Sequence, residues 1–201
     1  MVGLPGDDEV RLLETGRRIA DLNPAFVRIY PTLVLDGSPL AMWFRAGHYR
    51  PLCLDEAVDL SMKVYRFFRQ REISVIRTGL QASEELTAGS GVVAGPFHPA
   101  FGHLVQGACY LAAVREALRR RPVLSDTMEL HVHPKGIARL RGQGNANCAA
   151  LKREFGFSRV RVVADSGLEG DLIVLPDGRL IKVYEPIPRG RQRENIPLWL
   201  D

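Results

Sequence analysis

Met1–Asp7 reads M-V-G-L-P-G-D, and the class of the whole chain turns on these seven residues. Met1-Val2-Gly3-Leu4 has the character of the end of a buried strand, and Pro5-Gly6 is a turn signal. Asp7, Asp8 and Glu9 suit the first turn of a helix, where negative charge meets the positive end of the helix dipole. Such a strand-to-helix corner belongs inside an α/β fold with further sheet before it. The expectation is therefore either a trimmed domain or the later part of a larger one.

After this corner Leu12, Leu13, Gly16, Ile19 and Ala20 recur at helical spacing, and Asn23-Pro24 ends that helix. F-V-R-I-Y-P-T-L-V-L, from Phe26 to Leu35, predicts a strand. Alternation puts Phe26, Arg28 and Tyr30 on one side and Val27 and Ile29 on the other. A short helix follows at Leu40–Ala46. Leu54–Arg69 is a longer one, with Ala57, Val58, Ser61, Val64, Tyr65 and Phe68 on a single face. Cys53 takes its N-cap position and Glu56 the third helical position, a capping box with a thiol in place of a hydroxyl. Ile73–Thr78 is the next strand. The order of strands and helices implies a parallel sheet with helices packed on it.

Pro99 opens a long helix whose apolar stripe includes Phe101, Leu104, Val105, Ala108, Leu111 and Leu118. It bridges to a second unit: the strand M-E-L-H-V-H-P, a short helical turn, R-G-Q-G-N, a helix from Asn145 to Phe155, and the strand R-V-R-V-V. L-I-V-L-P-D-G-R-L-I-K-V-Y reads as a hairpin around Pro-Asp-Gly. The tail from Pro186 to Asp201 has no period.

The apolar content of 46% and charged content of 25% suit a globular chain with a core. A net charge of +4 permits an anionic partner without requiring one. Acidic residues stand where a secretory signal would need an apolar run, and no stretch approaches a membrane span. The three separated cysteines, Cys53, Cys109 and Cys148, favour the reducing cytoplasm over a disulfide scaffold.

M-V-G-L-P-G-D, V-R-I-Y-P-T-L-V, P-L-C-L-D-E-A-V, I-R-T-G-L-Q and V-V-A-G-P-F-H-P-A-F together resemble the C-terminal part of radical S-adenosylmethionine proteins. The branch they are most similar to is that of the elongator catalytic subunit, often described as like oxygen-independent coproporphyrinogen oxidase. L-H-V-H-P, R-G-Q-G-N-A-N and F-G-F-S-R-V-R-V-V are similar to that branch's C-terminal extension.

The resemblance implies an α/β fold: the last strands and helices of a partial (β/α)6 barrel, followed by a small α+β extension, whose own order of helix, glycine loop, helix and strand is compatible with a KH-like topology. Residues 1–105 would be barrel, 106–185 extension with a linking helix at about 99–121, and 186–201 an irregular tail. The parent family uses S-adenosylmethionine and a 4Fe-4S cluster held by a CxxxCxxC loop. No such loop occurs in this sequence, so the chain alone is expected to lack radical activity and to need the N-terminal half as a partner. The family reaction is reductive cleavage of S-adenosylmethionine and hydrogen abstraction by the adenosyl radical.

Gly3, Leu4 and Gly6 would then lie along the cofactor's adenosine, glycine allowing close approach. Arg28 and Tyr30, with Arg77 and Gln81 at the end of the next strand, would line the substrate pocket. Core positions, or pairing of Arg77 with Glu84 or Glu85, are the bland alternatives. Lys135, Arg139, Arg141, Asn145 and Lys152 surround a glycine turn like the KH loop that clamps a nucleic-acid backbone, though the spacing is G-x-G. A solvated basic face is the competing reading; RNA, by analogy tRNA, is the partner if the face binds. His131 and His133 share a side of one strand, but no further ligand follows at a diagnostic spacing and no metal site is assigned. The readings to separate are a portion of a radical enzyme, an RNA-binding module on a barrel remnant, and a degenerate product.

Overall fold

The computed structural model describes residues 1–80 and 91–184. Gln81, Glu84, Glu85 and the tail 186–201 fall outside the described residues.

Helix α1 (Glu9–Asp21) starts where the acidic run predicts, with the Asp8 carboxylate accepting from the Arg11 N–H at 2.8 Å. It buries Leu12 and Gly16, the latter 3.5 Å from the Phe67 ring. Strand β1 (Phe26–Ile29) ends sooner than the apolar run suggested. The single strand expected from Phe26 to Leu35 is two pieces, because Pro31 has no N–H to continue a ladder and the chain turns. The second piece, β2 (Val34–Leu35), leaves the sheet and pairs antiparallel with β4 (Val92–Ala94). Helix α2 (Pro39–Arg45), capped by Ser38, packs on that ribbon around Val34, Ala41 and Tyr49.

Helix α3 (Leu54–Gln70) buries Ala57, Ser61, Val64, Tyr65 and Phe68, the predicted face. The Cys53 N–H donates to the Glu56 carboxylate at 2.8 Å. Strand β3 (Ser74–Thr78) pairs parallel with β1. On the far side of β1, Val2 donates to Tyr30 O and accepts from the Thr32 N–H, both at 2.9 Å, making a third parallel line. The corner at Met1–Asp7 is thus a strand end beside β1, as the sequence suggests.

Helix α4 (Phe101–Arg120) begins two residues after Pro99. A Cβ on Gly102 would stand 2.8 Å from Thr78 O, so only glycine lets α4 start so close to the end of β3. The helix then packs α3 on one side. On another it meets α5 (Ile137–Arg141), α6 (Ala146–Phe155) and β8 (Leu180–Lys182). Burial on several faces explains why Phe101, Val105, Cys109, Tyr110, Ala113, Val114 and Leu118 are all inside.

The second sheet has the order β6-β5-β7-β8, with β5 at Thr127–Val132, β6 at Arg159–Ala164 and β7 at Leu172–Val174. β5 and β6 run parallel, joined through α5 and α6, and β7 and β8 form the expected hairpin. One continuous set of buried apolar residues runs from Val2 through α4 to Val183.

Candidate functional site

The β1–β3 pair has one face under helices and one face open. Ile29 is buried, whereas Phe26 is 52% exposed, in keeping with the alternation in the sequence. β3 breaks that alternation. Val75 stands opposite Val27, but Arg77, not Ile76, stands opposite Arg28. Ile76 is an inserted residue, a bulge of the kind that re-aims a side chain. Its effect is to bring Arg28 and Arg77 side by side on the open face, both exposed. Arg28 has no ion pair among the described residues, whereas Arg77 has an interaction of its own. Two guanidinium groups on neighbouring strands make a fork-like site for an anionic group. Tyr30 is half-buried at the C-terminal end of β1, where its carbonyl receives the Val2 N–H. Of the four residues expected in a pocket, the structure brings Arg28, Tyr30 and Arg77 to one sheet.

Gly3 is held from three directions. Its N–H donates to Asp7 Oδ2 at 3.2 Å and its carbonyl accepts from the Tyr49 hydroxyl at 2.6 Å. With φ at +84°, an added Cβ would lie 2.5 Å from Leu52 Cδ1. The glycine is required by that close packing and by the left-handed backbone. Gly6, at φ +75°, closes the turn and its carbonyl accepts from the Arg11 guanidinium. Leu4, between them, is 45% exposed. Burial pushes the Tyr49 phenol up, with the Asp7 carboxylate adding to the shift. Tyr49 lies in a loop without periodicity, so nothing in the sequence pointed to it.

The basic residues of the second unit divide into two sets. Arg139 is drawn inward, 3.4 Å from Asp171, whose carboxylate also accepts from the buried Tyr110 hydroxyl at 2.7 Å and faces Arg69 at 3.6 Å. Arg141 reaches Val162 O at 3.4 Å. Lys135 and Lys152 stay exposed. Asn145, in the left-handed region at φ 62°, begins α6 without capping it through its side chain. His131 pairs with Glu129 at 3.0 Å, and His133 accepts from the Lys135 N–H at the start of a 3-10 turn. The two histidines thus have separate local partners.

Cys53 is exposed, Cys148 half-buried and Cys109 fully buried, its thiol pushed up to about 12 by burial. Among the described residues no group of three or more His, Cys, Asp or Glu is placed to hold a metal. The thiols therefore do not fit a 4Fe-4S cluster, which needs convergent thiolates. No helix among the described residues is long and apolar enough to cross a membrane.

Residues 24–110 match the model of the radical SAM C-terminal domain family, so that segment is similar to the C-terminal region of radical SAM proteins. The match takes in β1, the bulged β3 and the first half of α4. No curated protein matches the chain.

Proposed function

We propose that residues 1–105 form part of the wall of a radical SAM barrel, in the branch resembling the elongator catalytic subunit and oxygen-independent coproporphyrinogen oxidase, and that residues 106–185 are its recognition extension. The carrying observation is the pairing of Arg28 with Arg77 on the open face, flanked by exposed Phe26 and Ile76. In this reading that face looks into the barrel. Arg28 and Arg77 grip an anionic group of the substrate, Tyr30 borders the same pocket, and the cofactor's adenosine lies along Gly3, Leu4 and Gly6. Cleavage of S-adenosylmethionine at a cluster would supply the adenosyl radical. The described residues offer no ligand set for that cluster, so they are assigned binding and orienting roles alone.

The partner is a cluster-bearing (β/α) segment laid along Val2. A cavity of about 190 Å³, bordered by Met1, Leu12, Ile19, Val27 and Phe68, supports this, since it offers apolar contact at that edge. Co-expression with such a segment carrying CxxxCxxC tests the reading. Co-purification that Phe26→Asp abolishes is expected, and failure to associate overturns it. Arg28→Ala and Arg77→Ala keep the association and lower turnover of an anionic substrate by about 10- to 100-fold, the cost of a lost charged hydrogen bond.

A second reading concerns the extension. We propose RNA, including tRNA, as a partner for exposed Lys135, Arg141 and Lys152 beside the uncapped start of α6. Affinity for a single-stranded RNA falls steeply with salt in this reading, and salt-insensitive or absent binding ends it.

A further inference from the structure

β6 is the outer strand of the four-stranded sheet, and its outer edge, which pairs with no strand among the described residues, is organised on both faces. The Asp165 N–H donates to Val132 O at 2.9 Å, which sets the parity of the strand. Backbone groups alternate in direction, so Arg161 and Val163 bond β5, and Val160, Val162 and Ala164 point their N–H and C=O groups outward; at the strand's start the N–H that reaches β5's side is that of Ser158, on Asp126 O at 2.8 Å. Among the described residues, the group reaching this outer row is the Arg141 guanidinium, 3.4 Å from Val162 O.

The side chains sort by the same parity. Val160, Val162 and Ala164 share the helix side with Met128, Leu130 and Val132. Arg159 and Arg161 are exposed on the opposite, open side, and Asp165 continues their row. None of these three charges has an ion pair among the described residues; Asp165 accepts from the Gly167 N–H at 2.8 Å. Charges of both signs, without ion pairs among the described residues and at the two ends of one strand edge, are complementary to their own image.

We propose that two copies of the chain pair antiparallel through β6, with the two-fold axis at Val162, so that the two sheets become one. In this register Val162 opposes Val162 and Val160 opposes Ala164, and each of these pairs exchanges two backbone hydrogen bonds. The apolar side chains meet on the helix side. On the open side Arg161 opposes Val163 and Arg159 opposes Asp165, giving an opposite-charge pair at each end. Other registers are worse. An axis at Arg161 sets the two guanidinium groups against each other, and an axis at Val163 leaves the Val160 backbone groups without a partner in the strand. Arg141 currently covers part of the edge and swings aside on pairing; charged guards of this kind also keep edges from indiscriminate pairing. An acidic peptide added along β6 would use the same outward row but would not need Asp165.

Sedimentation or light scattering of the chain at about 0.1 mM, a concentration that detects weak association, tests the proposal. A species of twice 22.4 kDa is expected. Arg159→Asp and Asp165→Arg each weaken it by about 10-fold, because two attractive pairs become repulsive, and the double exchange restores it. Ala164→Pro removes an outward N–H and weakens it as well, with no charge change. A monomer at that concentration, or a dimer indifferent to the single exchanges and to Ala164→Pro, overturns the proposal. Binding of an acidic peptide, or of RNA, that survives Asp165→Arg while the chain stays monomeric assigns the edge to that partner instead and equally overturns it.

Discussion

Each of the two main sheets keeps one face under α4 and its neighbours and leaves the other open, yet the open faces are unlike. That of β1 and β3 shows Phe26 and Ile76, both 52% exposed, beside two arginines. That of the four-stranded sheet carries Thr127, Glu129, His131, Arg159 and Arg161 between its apolar positions. A face adapted to water alternates polar side chains outward, and the second sheet does so. Large apolar groups gathered around a charged pair are more typical of a surface that meets another part of a protein. Two paired strands with a third line at Val2 also make a thin sheet, of a size that gains stability from neighbours. The contrast favours a covered first face and a solvated second one.

The helix both sheets share sets the largest effect that could separate them. Leu118, 1% exposed in α4, belongs to the continuous core. Leu118→Ala lowers unfolding free energy by about 2–5 kcal/mol, and hydrogen exchange in β1 and β5 accelerates together. Acceleration in one sheet alone would show that the sheets are energetically separate.

Asp171→Asn comes next, at about 1–3 kcal/mol, since it takes the charged acceptor from Tyr110, Arg139 and Arg69. Urea denaturation reads the loss, and Tyr110→Phe made on top of it adds little, because the two residues act as one unit.

Gly3→Ala, confined to the first sheet, costs about 1–2 kcal/mol for a left-handed backbone with a Cβ, together with displacement of Leu52. Protection of the Thr32 amide, which bonds Val2, falls while that of β5 does not.

A smaller effect is pH dependence. The Arg50 guanidinium and the Cys53 N–H hold Glu56 at about 2, against an ordinary 4.5. Arg66, bonded to Glu116 at 2.8 Å, holds that carboxyl below its usual range. Folded values lie below unfolded ones, so both contributions are complete above about pH 4.5 and fade as pH falls through the folded values. Denaturation midpoints decline over that acid window, and Glu116→Gln flattens the decline. The smallest effect is chemical: a thiol reagent at mildly alkaline pH labels exposed Cys53 first and Cys109 only on unfolding.

How much of this was legible depended on how local each determinant is. The stripe of α3, the capping Glu56 and the shared side of Phe26 and Arg28 follow from spacing along one stretch of chain and agree with the structure, as do Leu12 and Gly16 of α1, whereas Ile19 of that stripe is 38% exposed. The break at Pro31 was missed because the apolar run continues through it and only pairing shows where the ladder stops. Arg77 was picked out as a residue, but simple alternation in I-S-V-I-R-T places it on the side opposite Ile76, and its meeting with Arg28 rests on cross-strand register. Tyr49 on Gly3 and Asp171 on Tyr110 join residues 46 and 61 positions apart, with no periodic signature to connect them.

The inserted Ile76 has a consequence for how this segment tolerates change. The Ile76 side chain, 52% exposed, can be exchanged at little cost to this sheet's own packing, but the position itself cannot be dropped. Deleting it would turn the remainder of β3 over, driving a permanently ionised guanidinium toward the oily layer beneath and leaving Arg28 without its neighbour. At this point of the chain the register depends on length more than on which residue is present.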